Sequence, residues 1–473
     1  MKLLSCIALA VLCACSRGSY GGPDDEEMNG SGASSSGGSG GSGGASLPLP
    51  KDTEFQLGPE FAGACEKRLV VDVNLGHTPE SFVRAAQCQI DGTEADATTV
   101  SELSEQLRTQ NHVRRIDVVR TLCQRASKMC SFHYSDPWQA QVELTTPCVR
   151  KGTREMGAVL MYWSECPSGV NCGMNWANTH APGMSSESPL LAFGDESQGF
   201  YNPSNVGWWR RELLDARWAG LQFLTLNTFG PDLAELPQLV QALQDIGGGI
   251  QVSLFDDTWG WGKGEQPWGA LPTFSDTEAA ALLIYQKWQT FYRTVPSEHW
   301  YRYQGKPLIV FYNAGTLKPE NKSAATLGRL KELFKAEFGE DVFLAVDRAF
   351  FQDPATPGVA DSQFRWNTFS NNEMSRSDMN GVTYDHFMAK WDSLGRDVRD
   401  NPQPALPTDQ LIKGPELLEQ YLTDSASSNL AVIATWNDLG EGTGISRNYD
   451  YFYRGEWLPP HAFMSRIRAS QCQ

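Results

Sequence analysis

The sequence predicts an α/β protein whose larger part is an eight-stranded (β/α) barrel, preceded by a small helical domain. The main observation is that, from about residue 155 onward, short apolar and β-branched runs alternate with segments that have apolar residues at helical spacing. This alternation is typical of parallel strands joined by crossover helices. An open doubly wound sheet is the alternative, but no glycine-rich phosphate-binding loop follows any of the strand-like runs.

Seven candidate strands can be placed in the barrel region, residues 155–473. They span residues 158–163, 223–227, 251–255, 308–312, 342–346, 363–369 and 430–436. Amphipathic helices are predicted between them, for example at residues 208–219, 278–294 and 325–338. An eight-stranded barrel requires one more strand, which we place near Val382, Thr383 and Tyr384.

The preceding region, residues 64–150, is predicted to be helical. Apolar residues recur at helical spacing in three of its segments, at residues 80–89, 100–110 and 112–126. A domain of this size is too small to be very stable by itself. We expect disulfides at Cys88, Cys123 and Cys130 to strengthen it.

Residues 1–15 predict a bacterial export signal with a lipid attachment site. The apolar stretch of this segment is too short to cross a bilayer as a helix. The segment Leu12-Cys13-Ala14-Cys15 resembles a lipobox, in which the last cysteine, Cys15, is acylated and becomes the mature N-terminus. An ordinary cleaved signal peptide is the alternative. Because Ser16 follows Cys15, the resemblance implies a lipid anchor in the outer membrane, at the cell surface.

The segment between this signal and the folded part, residues 16–50, is dominated by Gly and Ser in its central run. Such a composition cannot bury enough apolar surface to fold. We therefore predict a disordered tether that holds the protein clear of the membrane surface.

The cysteines of the exported part are predicted to form disulfides. Eight of them follow Cys15, at positions 65, 88, 123, 130, 148, 166, 172 and 472. An even number in an exported chain favours disulfides over metal sites, and no pair has the Cys-x-x-Cys spacing that would indicate zinc. We predict one bridge between Cys166 and Cys172 and expect Cys472 to fix the last helix. No metal and no other cofactor is predicted.

The charge balance excludes several classes of partner. The chain has 39 basic and 56 acidic residues, which gives a net charge of −17, and it has no basic run. Nucleic acid, anionic lipid surfaces and acidic glycans are therefore poor partners. The 15 Trp residues offer flat apolar faces on which sugar rings can stack, although packing in the core is the commoner use of a Trp side chain. We expect a monomer that contacts the membrane only through its N-terminal lipid.

Polar and aromatic residues follow several of the predicted strands. In a (β/α) barrel, the residues just beyond the C-terminal ends of the strands line the active site. We predict substrate contacts from the following residues at these positions: Asn227, Asp256, Trp259, Trp261, Asn313, Asp347, Trp366 and Asn367. Asp256 or Asp257 is the best candidate for a third catalytic carboxylate, and we assign that role to Asp257. The alternative for Asp256 and Asp257 is that they cap a helix or close a loop.

Two carboxylates, Asp438 and Glu441, stand three residues apart just after the apolar run 430–435. Two carboxyls held close together can divide the work of acid and base, because the more desolvated one has its pKa raised and can donate a proton. The alternative is that both side chains bind backbone N–H groups within a glycine-rich turn.

The surrounding segment, Trp436-Asn437-Asp438-Leu439-Gly440-Glu441-Gly442-Thr443-Gly444-Ile445, resembles the Trp-Asn-Glu-Trp-x-Glu-Gly-Thr-x-Ile signature of glycoside hydrolase family 99 and its bacterial relatives, which include the domain of unknown function 5010. The run Tyr303-Gln304-Gly305-Lys306-Pro307 is similar to the segment that leads into a central strand in these enzymes. Together with residues 208–227, these matches extend the resemblance over most of residues 155–473.

The resemblance implies a glycoside hydrolase in which Glu441 is the general acid/base. It also implies that Asp438 deprotonates the sugar 2-hydroxyl, giving a 1,2-anhydro intermediate, and that Trp436 and Asn437 contact the substrate. This chain has Asp438 where the family has Glu, so this side chain is one methylene shorter. A glycan-binding lipoprotein without catalytic activity is the alternative function, and a structural envelope protein is a third.

Overall fold

The computed structural model describes most of the chain from residue 70 onward. The described residues are 70–72, 78–109, 115–128, 131–133, 148–162, 203–229, 233–257, 276–312, 322–366, 374–389, 414–437, 444–447, 452–453, 456–459 and 461–473. The predicted export signal, the tether and the predicted bridge between Cys166 and Cys172 lie outside these residues.

Three helices lie where the sequence predicts them before the barrel. They are α1 (Pro79–Asp91), α2 (Ala97–Thr109) and α3 (Arg115–Arg125), beside a parallel pair of short strands, β1 (Val70–Asp72) and β2 (Ser131–His133). Their shared core contains Phe82, Leu103 and Val119, and Trp457 from the C-terminal part of the chain packs into it. The Arg115 guanidinium lies 4.6 Å from the centre of the Trp457 ring. Cys88 and Cys123 are both disulfide-bonded, as predicted.

The main sheet contains eight parallel strands, which confirms the predicted (β/α) barrel. They are β3 (Glu155–Met161), β4 (Phe223–Phe229), β5 (Gln251–Asp257), β7 (Lys306–Tyr312), β8 (Phe343–Asp347), β9 (Ser362–Phe364), β11 (Val382–Phe387) and β12 (Leu430–Ile433). Strand β11 is the eighth strand that the sequence places near Val382–Tyr384, and β12 returns to pair with β3.

Two short strands run antiparallel to their neighbours in this sheet. Strand β6 (Arg302–Tyr303) pairs with β7, and β10 (Ser375–Met379) pairs with β11. The sheet is nearly closed, since β10 lies next to β9: the amide of Arg365 donates to Ser375 Oγ at 3.0 Å, and Asn380 Nδ2 donates to the carbonyl of Ala360 at 3.2 Å.

Helices cover the outside of the sheet. They are α4 (Val206–Ala219), α5 (Leu236–Asp245), α6 (Thr277–Thr294), α7 (Ala324–Phe338), α8 (Gly414–Asp424) and α9 (Ala462–Gln471). The fully described connection between β8 and β9 contains two 3₁₀ turns, Arg348–Gln352 and Thr356–Gly358, instead of an α-helix. No helix in the described part of the chain is long and apolar enough to cross a bilayer.

A disulfide closes the barrel region on itself. Cys148, just before β3, is bonded to Cys472, just after α9, which confirms that Cys472 fixes the last helix. Gly220 ends α4 with φ +89°, and a Cβ at this position would lie 2.7 Å from the sulfur of Cys472. The conformation and the closeness of the disulfide both require glycine here.

The strands present alternate residues to two separate apolar cores, as the two-residue period of a strand requires. The core between sheet and helices includes Leu224, Leu254 and Ile433. The core inside the barrel includes Phe223, Phe255 and Val432. Residues on the outer face of the sheet therefore pack against the helices, and residues on the inner face fill the barrel interior.

Candidate active site

The inward-facing residues change from apolar to polar toward the C-terminal ends of the parallel strands. Below this end the barrel is filled by apolar side chains such as Val159, Phe255, Val310, Ala345 and Val432. Toward this end, inward positions hold Met161, Asn227, Asp257, Tyr312, Asp347 and His386, with Trp366 just after β9. Strand pairing sets Met161 opposite Asn227 and Asp257 opposite Tyr312. We call this end of the barrel, where barrel enzymes carry their chemistry, the barrel mouth.

Asn227 and Asp257 contact each other at the barrel mouth. Asn227 Nδ2 donates a hydrogen bond to Asp257 Oδ2 at 3.3 Å, from β4 to β5. The two residues are only 1% and 6% exposed. Asn227 Oδ1 has no hydrogen-bond partner among the described residues. The structure thus unites two predicted site residues and leaves a buried acceptor available beside a carboxylate.

Asp347 ends β8 at the same mouth. Its Oδ1 accepts a hydrogen bond from the amide of Ala349 at 2.8 Å. Burial raises the pKa of Asp347 to about 6, and the hydrogen bond from Ala349 and the charges of Lys322, Arg348 and Arg365 oppose this rise. A carboxyl group with this pKa can take up or release a proton near neutral pH, as an acid/base group must do.

Aromatic rings lie beside these carboxylates. The Trp366 ring lies 5.1 Å from Tyr312 and 5.1 Å from Phe255, measured between ring centres. Trp366 and Tyr312 are both partly exposed, whereas Phe255 is fully buried beneath them. Two rings that are supported from below and open above offer flat apolar surface to a ligand.

His386 is a residue of the barrel interior that the sequence analysis does not single out. It is fully buried on β11, with its ring 4.8 Å from Phe364 and 5.6 Å from Trp366. Its Nδ1 lies 3.3 Å from the hydroxyl of Tyr384, and its Nε2 has no partner among the described residues. Burial lowers the pKa of His386 to about 3, so the ring is neutral. An extension of the predicted eighth strand by two residues would have placed it inside the barrel.

Asp256 lies on the opposite face of β5 from Asp257. Its Oδ1 accepts from Lys287 Nζ at 2.5 Å, and its Oδ2 accepts from Trp288 Nε1 at 2.7 Å. Lys287 also donates to the carbonyl oxygens of Thr228 and Asp257. The sequence predicts that Asp256 binds substrate, but the structure places it on the helix side of the sheet, where both its oxygens are bonded to α6.

Trp436 is also on the helix side. Its ring is fully buried in the core between sheet and helices, and its indole N–H donates to Glu212 of α4. Asn437, the next residue, is 3% exposed, and its side-chain oxygen accepts from the amide of Met161 at 2.7 Å. These two residues therefore attach the start of the predicted catalytic segment to the barrel.

The predicted catalytic pair lies outside the described residues, as do four of the predicted substrate contacts. These residues are Asp438 and Glu441, then Trp259, Trp261, Asn313 and Asn367. The residues that flank the pair are described. The Trp436 carbonyl accepts hydrogen bonds from the amides of Ile445 and Ser446, at 2.8 and 2.7 Å. The amide of Trp436 donates to the carbonyl of Val159 at 2.6 Å. The chain thus leaves and returns at one point beside β3 and β12.

The site offers carboxylate and amide groups but no assembled metal centre in the described residues. There, no three His, Cys, Asp or Glu side chains come close enough to share a metal ion. The chemistry that the mouth can supply is proton transfer and hydrogen bonding by Asp257, Asp347 and Asn227, next to an aromatic surface.

Comparison with protein families gives a match to the domain of unknown function 5010 (DUF5010) over residues 210–469, which is more than half of the chain. The protein belongs to the DUF5010 family. The match runs from α4 to α9 and so includes the strands that carry Asn227, Asp257 and Asp347, as well as residues 438–441. Among curated proteins, none matches this DUF5010 member.

Solved structures that resemble this DUF5010 protein include a glycoside hydrolase and a glycoside hydrolase-like protein. The endo-α-mannosidase of glycoside hydrolase family 99 from Bacteroides thetaiotaomicron, in complex with Bis-Tris propane, is 14% identical with a TM-score of 0.44, covering 67% of this chain and 96% of that chain. A second structure of this enzyme is also 14% identical, with a TM-score of 0.42 and coverages of 67% and 95%. A glycoside hydrolase-like protein is 11% identical with a TM-score of 0.44, covering 71% of this chain and 99% of that chain.

Proposed function

We propose that this DUF5010 protein is a glycoside hydrolase that cleaves a neutral oligo- or polysaccharide at the barrel mouth. The observation that carries the proposal is the convergence of three features at one end of the barrel. These are the Asn227–Asp257 pair, the partly exposed rings of Tyr312 and Trp366, and the two attached ends of the segment that holds Asp438 and Glu441. Carboxylates beside aromatic faces are the groups that glycoside hydrolysis uses.

In the proposed reaction, Glu441 protonates the departing glycosidic oxygen. Asp438 takes the proton of the sugar 2-hydroxyl while the 2-oxygen attacks the anomeric carbon and the glycosidic bond breaks. Water then attacks the anomeric carbon of the resulting 1,2-anhydro sugar and breaks its bond to the 2-oxygen, with Glu441 taking the proton of the water and Asp438 returning its proton to the 2-oxygen. No carboxylate of the protein forms a covalent bond to the sugar in this reaction. Asp257 assists by hydrogen bonding.

The substrate is proposed to be neutral because the protein carries a net charge of −17, which repels acidic glycans. Trp366 and Tyr312 stack on the apolar face of a sugar ring. Asp347, which ends β8 at the same mouth, accepts hydrogen bonds from the hydroxyl groups of this sugar. Further contacts are proposed from Trp259 and Trp261, which follow β5 in the sequence, and from Asn313 and Asn367, which are next in sequence to Tyr312 and Trp366.

A glycan screen tests this function directly. The purified protein is incubated with mannans, glucans and bacterial polysaccharides, and released reducing ends are measured. We expect turnover of at least one neutral glycan by the wild type and by Glu332→Gln, which changes an exposed carboxylate on α7. Binding of a glycan without any turnover supports the alternative, an inactive glycan-binding protein, and neither binding nor turnover contradicts both.

We also propose that the protein is exported and anchored to the outer membrane through a lipid on Cys15, with residues 16–50 as the tether. The support is the composition of residues 1–50. Replacing Cys15 by Ser should move the protein from the membrane fraction to the soluble fraction without changing its thermal unfolding. Processed Cys15→Ser protein that still fractionates with membranes contradicts the lipid anchor.

A further inference from the structure

Helix α4 contacts both sides of the segment that carries the proposed catalytic pair. We call residues 438–443 the acid segment and the residues that flank it, 436–437 and 444–447, its stem. On the N-terminal side of the acid segment, the Trp436 indole donates to Glu212 Oε2. On the C-terminal side, Arg447 Nε donates to Asp215 Oδ2 at 3.0 Å. Glu212 and Asp215 are three residues apart and therefore lie on one face of α4.

All four side chains are removed from solvent. Trp436 is 0%, Arg447 1%, Glu212 2% and Asp215 3% exposed. Breaking a polar contact in such surroundings is costly in free energy, because the buried groups lose their partner and water does not replace it. The contacts thus attach the stem to α4 more firmly than surface contacts of the same length could do.

Helix α4 is itself held firmly in the barrel. It begins at Asn205, whose side chain accepts from the amide of Gly207 at 2.7 Å, and it ends at Gly220 beside the Cys148–Cys472 disulfide. Its residues Trp209 and Leu213 are fully buried in the core between sheet and helices. A group bonded to this helix is therefore fixed relative to the barrel mouth.

We propose that Glu212 and Asp215 are positioning residues: they hold the stem on both sides of the acid segment against α4, and the activity proposed for Asp438 and Glu441 depends on this attachment. This inference rests on the proposed function for its catalytic part. The stem contacts themselves join described residues, so the attachment can be tested apart from activity.

The charge balance around Glu212 makes glutamine a good replacement for it. Burial and the charge of Asp215 raise the pKa of Glu212 to about 8, while the Trp436 hydrogen bond and the positive charges of Arg211 and Arg447 oppose this rise. At neutral pH Glu212 is thus mainly protonated. Glutamine has the same shape, is uncharged and keeps an oxygen that accepts from Trp436, whereas leucine has no acceptor.

Hydrogen exchange of the stem amides in the full-length protein tests the attachment. The amides of Ile445 and Ser446, which bond to the Trp436 carbonyl, report opening of the stem. We expect them to exchange about tenfold faster in Glu212→Leu and Asp215→Asn, because each variant loses or weakens one buried hydrogen bond. Exchange should remain close to that of the wild type in Glu212→Gln.

Asp385→Asn is the matched control. Asp385 is a buried carboxylate on the helix side of β11 that bonds to Arg376 at 2.9 and 2.8 Å, without contact to the stem. It should reproduce any general loss of stability but leave stem exchange unchanged. If Glu212→Leu does not fold, Trp436→Phe tests the same contact from the other partner, since phenylalanine is a smaller aromatic side chain that lacks the indole N–H. Equal stem exchange in the wild type, the Glu212 and Asp215 variants and the control overturns the inference.

Activity measurements test the catalytic part. Glu212→Leu and Asp215→Asn should lower kcat with little change in KM, because the substrate-stacking residues are untouched. Glu212→Gln should keep the kcat of the wild type. Faster stem exchange with unchanged kcat contradicts the positioning role. If no glycan is turned over even by the wild type, the proposed function fails, whereas faster stem exchange in these variants still supports the attachment of the stem to α4.

Discussion

Asp256 and Asp257 are adjacent in sequence but serve opposite sides of the sheet. Asp256 is fully buried on the helix side and bonds to Lys287 Nζ at 2.5 Å, whereas Asp257 faces the barrel mouth and accepts from Asn227 at 3.3 Å. The alternation of side chains along β5 produces this separation. One Asp-Asp pair therefore provides a structural carboxylate and a carboxylate of the candidate site.

This separation predicts that a substitution of Asp256 lowers stability, whereas a substitution of Asp257 lowers activity. Asp256→Ala leaves the buried charge of Lys287 without its partner, so we expect the free energy of unfolding to fall by about 3–5 kcal/mol. Asp257→Asn keeps the hydrogen-bonding shape at the mouth, so stability should change little while kcat falls. Urea unfolding and initial-rate kinetics on both variants check this pair. Equal destabilisation by both substitutions would show that the two carboxylates do not divide in this way.

Removal of the partly exposed ring of Trp366 is predicted to lower the affinity for a glycan. Trp366→Ala removes a flat face that is supported by Phe255 and Tyr312, and we expect the Kd for a bound oligosaccharide to rise about three- to tenfold. Trp366→Phe keeps a smaller aromatic face and should retain most of the affinity. Isothermal titration calorimetry compares the affinities of the wild type, Trp366→Ala and Trp366→Phe, each in a catalytically inactive form so that the oligosaccharide is not cleaved. Unchanged affinity in Trp366→Ala places the sugar elsewhere.

Glu212 predicts a pH dependence of stability. Its pKa is raised from 4.5 to about 8 in the folded protein, so below pH 4.5 both the folded and the unfolded chain hold the proton. Between these values the unfolded chain releases the proton and the folded one keeps it. Unfolding is then coupled to proton release, and the contribution of Glu212 to the free energy of unfolding decreases as pH rises through about 8.

The measurement is the difference in unfolding free energy between the wild type and Glu212→Gln across pH 4 to 9, since all other titrating groups then cancel. The wild type should lose stability relative to Glu212→Gln as pH rises from 4.5 to about 8 and then level off. A difference that is independent of pH shows that Glu212 has an ordinary pKa in the folded protein.

The sequence predicts most of the barrel because its strands are continuous apolar runs, as parallel strands covered on both faces must be. The eighth strand is only partly visible, since Asp385 and His386 interrupt its apolar pattern. Asp385 is a partner of Arg376 on the neighbouring strand, a contact that the linear pattern does not show. The predicted third strand ends at Phe255, whereas β5 continues to Asp257, so the sequence could not assign faces to Asp256 and Asp257.

Long-range contacts explain what the sequence misses at the candidate site. Glu212 has the pattern of an ordinary helical carboxylate, and the sequence shows neither its burial nor its contact with Trp436, 224 residues further along the chain. Trp436 is part of the signature that resembles family 99, but which face of the sheet its ring occupies depends on the packing of α4. Motif spacing indicates which residues matter chemically, whereas the burial and the contacts of their side chains follow from the packing of the helices on the nearly closed sheet.

The last prediction concerns Glu441 and Asp438, and it separates their roles. If Glu441 protonates the departing oxygen, Glu441→Gln removes the proton but keeps the shape, so kcat should fall by roughly 10²- to 10⁴-fold with little change in affinity. Asp438→Asn should also lower kcat. A substrate with an activated leaving group should recover part of the loss in Glu441→Gln, because such a group departs without protonation.

The same activated substrate should not rescue Asp438→Asn, since the 2-hydroxyl must still lose its proton before its oxygen can attack the anomeric carbon. Kinetics of both variants on an ordinary and an activated glycoside provide the comparison, with Glu332→Gln as the control that keeps wild-type rates. Wild-type turnover of an ordinary glycan by Glu441→Gln removes Glu441 from its proposed role. Equal rescue of both variants shows instead that the two carboxylates do not act on different oxygens of the substrate.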